Sequence, residues 1–144
     1  MEWSDVAAHV TGQAHIATVR ADGSPHVAKV WPALDGETIW IGTRASSGKA
    51  RNLRVNPKAA LMFEPTGEAY ISGEVEVVSD VATKERIWNS GNFEYPMAGF
   101  FGSADSDDFV VLRFTPLRAI VMTQDESGVR RDTWQASRPP SSAA

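Results

Sequence analysis

A mainly β fold, a small antiparallel barrel of roughly six strands with a few short helices, is the fold class this sequence predicts. Turn signals recur between β-rich runs, with Asp22-Gly23, Asp35-Gly36 and Pro65-Thr66-Gly67 at the breaks. The runs alternate in polarity, most clearly over 68–79, where Ala69, Ile71, Gly73, Val75 and Val77 share one face. Helix signals are confined to short stretches. Closing the strands into a barrel removes exposed edges, although a sandwich suits the same strand count.

The elements follow in order. Residues 2–10 read as a short helix with acidic residues early and Trp3, Val6 and Val10 on one face, ended by Gly12. Strands are expected over 14–20, 26–34 and 37–43, joined by the two Asp-Gly turns into a meander. Ser46 or Ser47 then caps a helix with the body KARNLRV, and Asn56-Pro57 ends it. Strands resume over 58–64 and 68–79. Asp80 caps a third helix, stopped by Gly91, and 91–107 is an aromatic, aperiodic loop with room for one helical turn. Residues 108–116 are apolar on both faces, which marks a central strand; 119–124 continue it, and 129–135 add an edge strand.

Composition limits what such a fold can do. A chain of 144 residues makes one domain, placed at 1–136, with a low-complexity tail at 137–144 expected to be disordered. The net charge of −4 argues against a dedicated nucleic-acid surface, which would be basic. Having no cysteine, the chain can form neither disulfides nor thiolate metal sites, and it has no thiol nucleophile. The first twenty residues hold no long apolar stretch behind a basic start, so neither a leader nor a membrane span is expected, and the cytoplasm is the expected location. Five tryptophans in a small acidic domain point to an apolar surface hidden in a dimer.

The segment most informative about chemistry runs from Thr43 to Pro57. It places hydroxyls ahead of Lys49 and Arg51, at the start of a helix whose free N–H groups attract anions. Spacing alone leaves a second reading open, a serine cap followed by a solvated face of Lys49, Arg51 and Arg54. A Walker loop is not present.

Residues 15–64 carry a strand, a DG turn, a strand ending in Trp31-Pro32, a second DG turn and a strand ending in Thr43. The pattern S-x-K-x-x-N-L-x-x-N-P then runs from Ser47 to Pro57. This arrangement resembles the pyridoxamine 5′-phosphate oxidase-like split barrels, which include flavin-binding general stress proteins and deazaflavin (F420) oxidoreductases. The resemblance spans about residues 12–122, and its later part is similar to the general stress protein branch. It implies a six-stranded split barrel that dimerises with itself and binds FMN, or alternatively F420, at the subunit interface. By position, Thr43, Ser47 and Lys49 would hold the cofactor phosphate, with Arg44, Arg51 and Asn52 in support. The stretch Val27 to Pro32, in particular Val30, Trp31 and Pro32, would line the ring system together with Ile41 and Gly42. Gly48 stands where the classical oxidase has an arginine, Val27 where it has another, and Pro32 where it has a lysine, which argues against oxidation of pyridoxamine phosphate itself.

Trp88, Phe93, Tyr95, Phe100 and Phe101 are candidates for the wall of a cofactor or substrate pocket. Core packing is the favoured reading for any single one of them; Trp31, beside Pro32, is the foremost individual candidate for the pocket, and Trp134 is a further one. With a bound flavin the chemistry lies in the ring, so no catalytic residue is assigned. His9, His15 and His26 lack metal-ligand spacing, and Asp105, Asp107 and Asp108 read as a solvated turn. Three functions remain: an oxidoreductase passing hydride between the flavin and a small planar acceptor, a non-enzymatic flavin-binding stress-response module, and a dimeric scaffold that has lost its cofactor.

Overall fold

The computed structural model describes residues 1–137; the rest of the expected tail, 138–144, lies outside the described residues. Among the described residues, eight strands form one antiparallel sheet in the order β2-β1-β5-β6-β7-β4-β3, with β8 paired to β7 off this path. The path does not close on itself, as in a split barrel. The strands are β1 (Ala14–Val19), β2 (Pro25–Val30), β3 (Ala33–Asp35), β4 (Thr38–Arg44), β5 (Lys58–Phe63), β6 (Glu68–Val78), β7 (Phe109–Asp125) and β8 (Gly128–Gln135). The described residues also form short helices that flank them: α1 (Trp3–Ala7), α2 (Gly48–Val55), α3 (Val81–Trp88) and α4 (Met97–Phe101). No helix among the described residues is long and apolar enough to cross a membrane.

The strand count exceeds six for two physical reasons. The run expected over 26–34 divides at Trp31-Pro32, because proline cannot donate to a ladder. Its first half pairs with β1 and its second half with β4, so the chain changes neighbours at the proline. The second reason is β8, the edge strand expected over 129–135 in addition to the barrel strands, which pairs with the far half of β7 from Arg118 to Asp125. β7 holds the fold together: of its 17 residues, Val111 to Met122 pair with β6, while its start pairs with β4 and its end with β8.

Two apolar layers result. Ile16, Ile39, Ile41, Leu61, Phe63, Ile71, Leu112 and Phe114 fill the interior of the sheet. On the outer face, Trp40, Val78, Phe109 and Val111 pack beneath Ile87 of α3 and Met97 of α4. This outer layer is why Phe109 to Leu112 are buried on both faces, as their apolar run predicts. Two of the buried polar residues are anchored by long-range bonds. Asn52 of α2 donates from Nδ2 to Thr18 Oγ1 at 3.0 Å, fixing the helix to β1. Lys84 of α3, 3% exposed, donates to the carbonyls of Ser106 and Phe109 at 3.0 and 2.9 Å.

Candidate functional site

The site is built where β4 runs out into α2. Ser47 is the N-cap, with φ −67° and ψ 153°, and its Oγ accepts from the Ala50 N–H at 3.2 Å. Thr43, 4% exposed at the end of β4, points its Oγ1 at Ser47 Oγ, 3.4 Å away. Between them the chain turns through Arg44, Ala45 and Ser46, and Asp108 holds that turn. The Asp108 carboxylate accepts from Ser46 N at 2.9 Å and Ser46 Oγ at 3.0 Å, while its carbonyl accepts from Ala45 N at 2.7 Å. Arg44 contacts the same carboxylate at 3.6 Å and donates to the Phe100 carbonyl at 2.8 Å, tying the cradle to the aromatic loop. Hydrogen bonds from the Ser46 backbone and side chain hold the Asp108 carboxyl below the usual range.

Asp108 sits half-exposed in the solvated turn that the acidic spacing of 105–108 predicts, and in addition it clamps the cradle. Sequence offers no signal for a contact across 62 positions. Asp108→Asn is expected to keep the fold and weaken anion binding at the cradle by about tenfold, because a misplaced binding group costs that much or more. Equilibrium titration with FMN checks this. In the intact protein, affinity should fall with acidification as Asp108 protonates. A depressed carboxylate contributes while ionised and is lost as pH drops through its folded value.

A cavity of about 370 Å³ opens beside the cradle. Thr43, Arg44, Ser47 and Lys49 line its polar end. Its other walls are Val30, Trp31 and Gly42 from the strands and Tyr95, Phe100 and Phe101 from the aromatic loop. Gln13 and Lys29 complete it; Lys29 falls in the stretch Val27 to Pro32 expected to line the ring, whereas Gln13 lies outside every expected stretch. Strand parity could have singled out Lys29, which shares a face with Trp31, and the Ala14–Val30 pairing brings Gln13 alongside Trp31.

Trp31 stacks on Tyr95 with centroids 5.3 Å apart and planes 15° from parallel, and its buried Nε1 has no hydrogen-bond partner. Gly42 makes that packing possible. A Cβ there would stand 3.1 Å from Tyr95 Oη, 3.1 Å from the Phe109 ring and 3.3 Å from Met97. Burial pushes the Tyr95 phenol up to about 12, so it stays protonated at neutral pH and can only lend a neutral hydroxyl.

Other sequence candidates lie elsewhere. Ile41 is fully buried in the interior, Pro32 is buried at the strand break, and Val27 is exposed on β2. Trp88 meets Phe109 edge-on at 5.2 Å in the outer layer, Phe93 braces Tyr95 at 5.8 Å, and Trp134 packs on Trp3 at 4.9 Å. Arg51 and Asn52 line a separate cavity on the other flank of α2.

The cation set decides what the aromatic cavity can hold. Lys49 is half-buried with no hydrogen-bond or ion-pair partner among the described residues, and desolvation lowers its pKa below the ordinary 10.5. A desolvated, unpaired ammonium beside a capped helix start matches a phosphate, and flat aromatic walls match a planar ring. The volume lies within the range of small-molecule sites. The donors present therefore fit a flavin phosphate with its ring toward Trp31 and Gly42.

Known proteins share this fold. Over 107 residues the chain is 27% identical to general stress protein 26 of Bacillus subtilis (strain 168), covering 70% of this chain and 72% of that protein. A solved F420 reductase superposes with a TM-score of 0.60 at 25% identity, over 78% of this chain and 93% of that one. A pyridoxamine 5′-phosphate oxidase-related, FMN-binding protein from Nostoc punctiforme PCC 73102 superposes with a TM-score of 0.65 at 14% identity, over 96% and 98% of the two chains. The family model for pyridoxamine 5′-phosphate oxidase matches residues 11–122, and the chain belongs to that family.

Proposed function

We propose that this protein is a flavin-dependent oxidoreductase that holds FMN by its phosphate at Thr43, Ser47 and Lys49. The observation that carries the reading is Lys49, a half-buried ammonium without a counter-ion on the wall of an aromatic cavity. Arg44 supports the phosphate end, Val30, Trp31 and Gly42 face the ring, and Phe100 bounds the space left for a small planar acceptor. The flavin supplies hydride transfer when bound; the chain's own residues position it and exclude water. Trp31 Nε1 and the protonated Tyr95 hydroxyl are neutral donors for a ring carbonyl or an acceptor oxygen. Oxidation of pyridoxamine phosphate itself is not part of the proposal, because Gly48, Val27 and Pro32 carry none of the cations of the classical pattern.

F420 is the second reading, favoured by one observation, the 25% identity to an F420 reductase. Turnover separates an oxidoreductase from a cofactor store. With reduced nicotinamide or reduced F420 and a quinone or nitroaromatic acceptor, saturable oxidation of the donor is the expected result. Tight binding with no turnover would favour the storage function.

The site is proposed to be completed by a second copy of the chain. Val27 is 66% exposed, and a groove of about 510 Å³ crosses the outer sheet face past Ala17, Ala60, Ser72 and Leu117. Sedimentation equilibrium should give twice the 15.6 kDa chain mass, and a monomer at micromolar concentration would contradict the dimer.

A further inference from the structure

Lys49 and Arg51 are two positions apart on α2, so about 200° of helix rotation separates them. Accordingly they serve different cavities. Lys49 lines the aromatic one, whereas Arg51 lines a second, of about 500 Å³, with Arg20, Asp22, His26 and Gly48.

The polar groups of the second cavity are arranged for an anion. Arg51 has no hydrogen-bond or ion-pair partner among the described residues. Arg20 uses Nη1 on its own hairpin, 2.6 Å from the Pro25 carbonyl and 3.4 Å from Ser24 Oγ, and keeps its other guanidinium donors. The acidic member of the lining, Asp22, accepts from Ser24 N at 3.0 Å and Ser24 Oγ at 2.6 Å through Oδ1, and its charge is opposed by that of Arg20. His26 keeps Nδ1 buried without a partner. Its Nε2 lies 3.5 Å from where a Cβ on Gly48 would stand, so the bare glycine leaves the imidazole against the helix start. Two arginines and an imidazole with unmet bonding capacity thus line a cavity with a single carboxylate, so the cations outnumber the anion.

We propose that the cavity of Arg20, His26 and Arg51 is a second anion subsite, taking a phosphate or carboxylate on the flank of α2 opposite Lys49. The anion is either an extension of the ligand beyond the phosphate at Lys49, which rests on the flavin reading, or a separate small anionic substrate, which does not.

Inorganic phosphate is the direct probe, titrated into the full chain with and without FMN and followed by the NMR signals of the Ala21 amide and His26 imidazole, both on the lining of the second cavity. Saturable shifts of both are expected, weakened about tenfold in Arg51→Gln or Arg20→Gln and retained in Lys49→Gln. No shift, or a shift lost in Lys49→Gln and kept in both arginine variants, overturns the proposal. Comparing F420, whose phosphate continues into carboxylates, with FMN identifies the source. Weaker F420 binding in Arg51→Gln with unchanged FMN binding assigns the anion to the cofactor. Unchanged binding of both, with the phosphate response still dependent on Arg51, assigns it to a separate substrate. A protein that binds neither flavin but keeps the Arg51-dependent response retains the subsite and refutes the flavin reading alone.

Discussion

Lys49→Gln is expected to lower affinity for FMN by about one to two orders of magnitude, the amount a hydrogen bond to a charged group contributes, while leaving the fold intact. The two effects separate because Lys49 has no partner to lose in the free protein. Its burial opposes the charged form, so the free chain carries an unrepaid desolvation cost that glutamine removes. Thermal melting of the variant should match or slightly exceed the parent, whereas the fluorescence titration with FMN should shift far to the right. The same lysine sets a pH dependence. Free Lys49 loses its proton at a lower pH than the ordinary 10.5, and a bound phosphate favours the protonated form. Affinity should stay level while Lys49 is charged and then fall as pH rises through its lowered value, and the fall should vanish in Lys49→Gln.

Gly73→Ala carries the largest expected effect on stability, a loss of about 3 kcal/mol in denaturant unfolding, because over-packing beside fixed backbone cannot be relieved by rotamer changes. A Cβ on Gly73 would be driven onto the Thr115 carbonyl oxygen and would meet the Phe114 ring at 2.8 Å. Gly73 sits where the β6–β7 register slips, so that Ser72 faces Arg118 while Gly73 faces Pro116. The residue passed over, Leu117, gives its carbonyl to the Ala136 N–H at 2.8 Å, which secures the chain just beyond β8. Crowding this bulge disturbs β6, β7 and β8 together. Gly99, with nothing within 4 Å of its Cβ position, provides the control, and alanine there should cost little.

What the sequence reveals depends on how local the cause is. The cradle from Thr43 to Lys49 is contiguous: a strand end, a serine cap and a short helix each carry their own chemistry, and the structure gathers them into one cavity with Val30, Trp31 and Gly42. The helix body ended by Asn56-Pro57 and the Asp80 cap are local in the same way. Membership of the aromatic wall was not legible, because 91–107 has no period to fix directions. Tyr95, Phe100 and Phe101 line the cavity, whereas Trp88 serves the outer layer under α3. Helical geometry, by contrast, could have separated Arg51 from Lys49. The Asp108 clamp and the Asn52–Thr18 bond are long-range pairings between residues whose types have many other uses.

The central claim, a phosphate-recognising flavin site at Thr43, Ser47 and Lys49, is tested most directly by titrating the purified protein with FMN and with riboflavin under identical conditions. The two ligands share the ring and ribityl chain and differ in the phosphate. One saturable site per chain, with FMN bound at least about thirtyfold more tightly than riboflavin, is the expected result. Equal affinities, or no binding of either flavin, would contradict it.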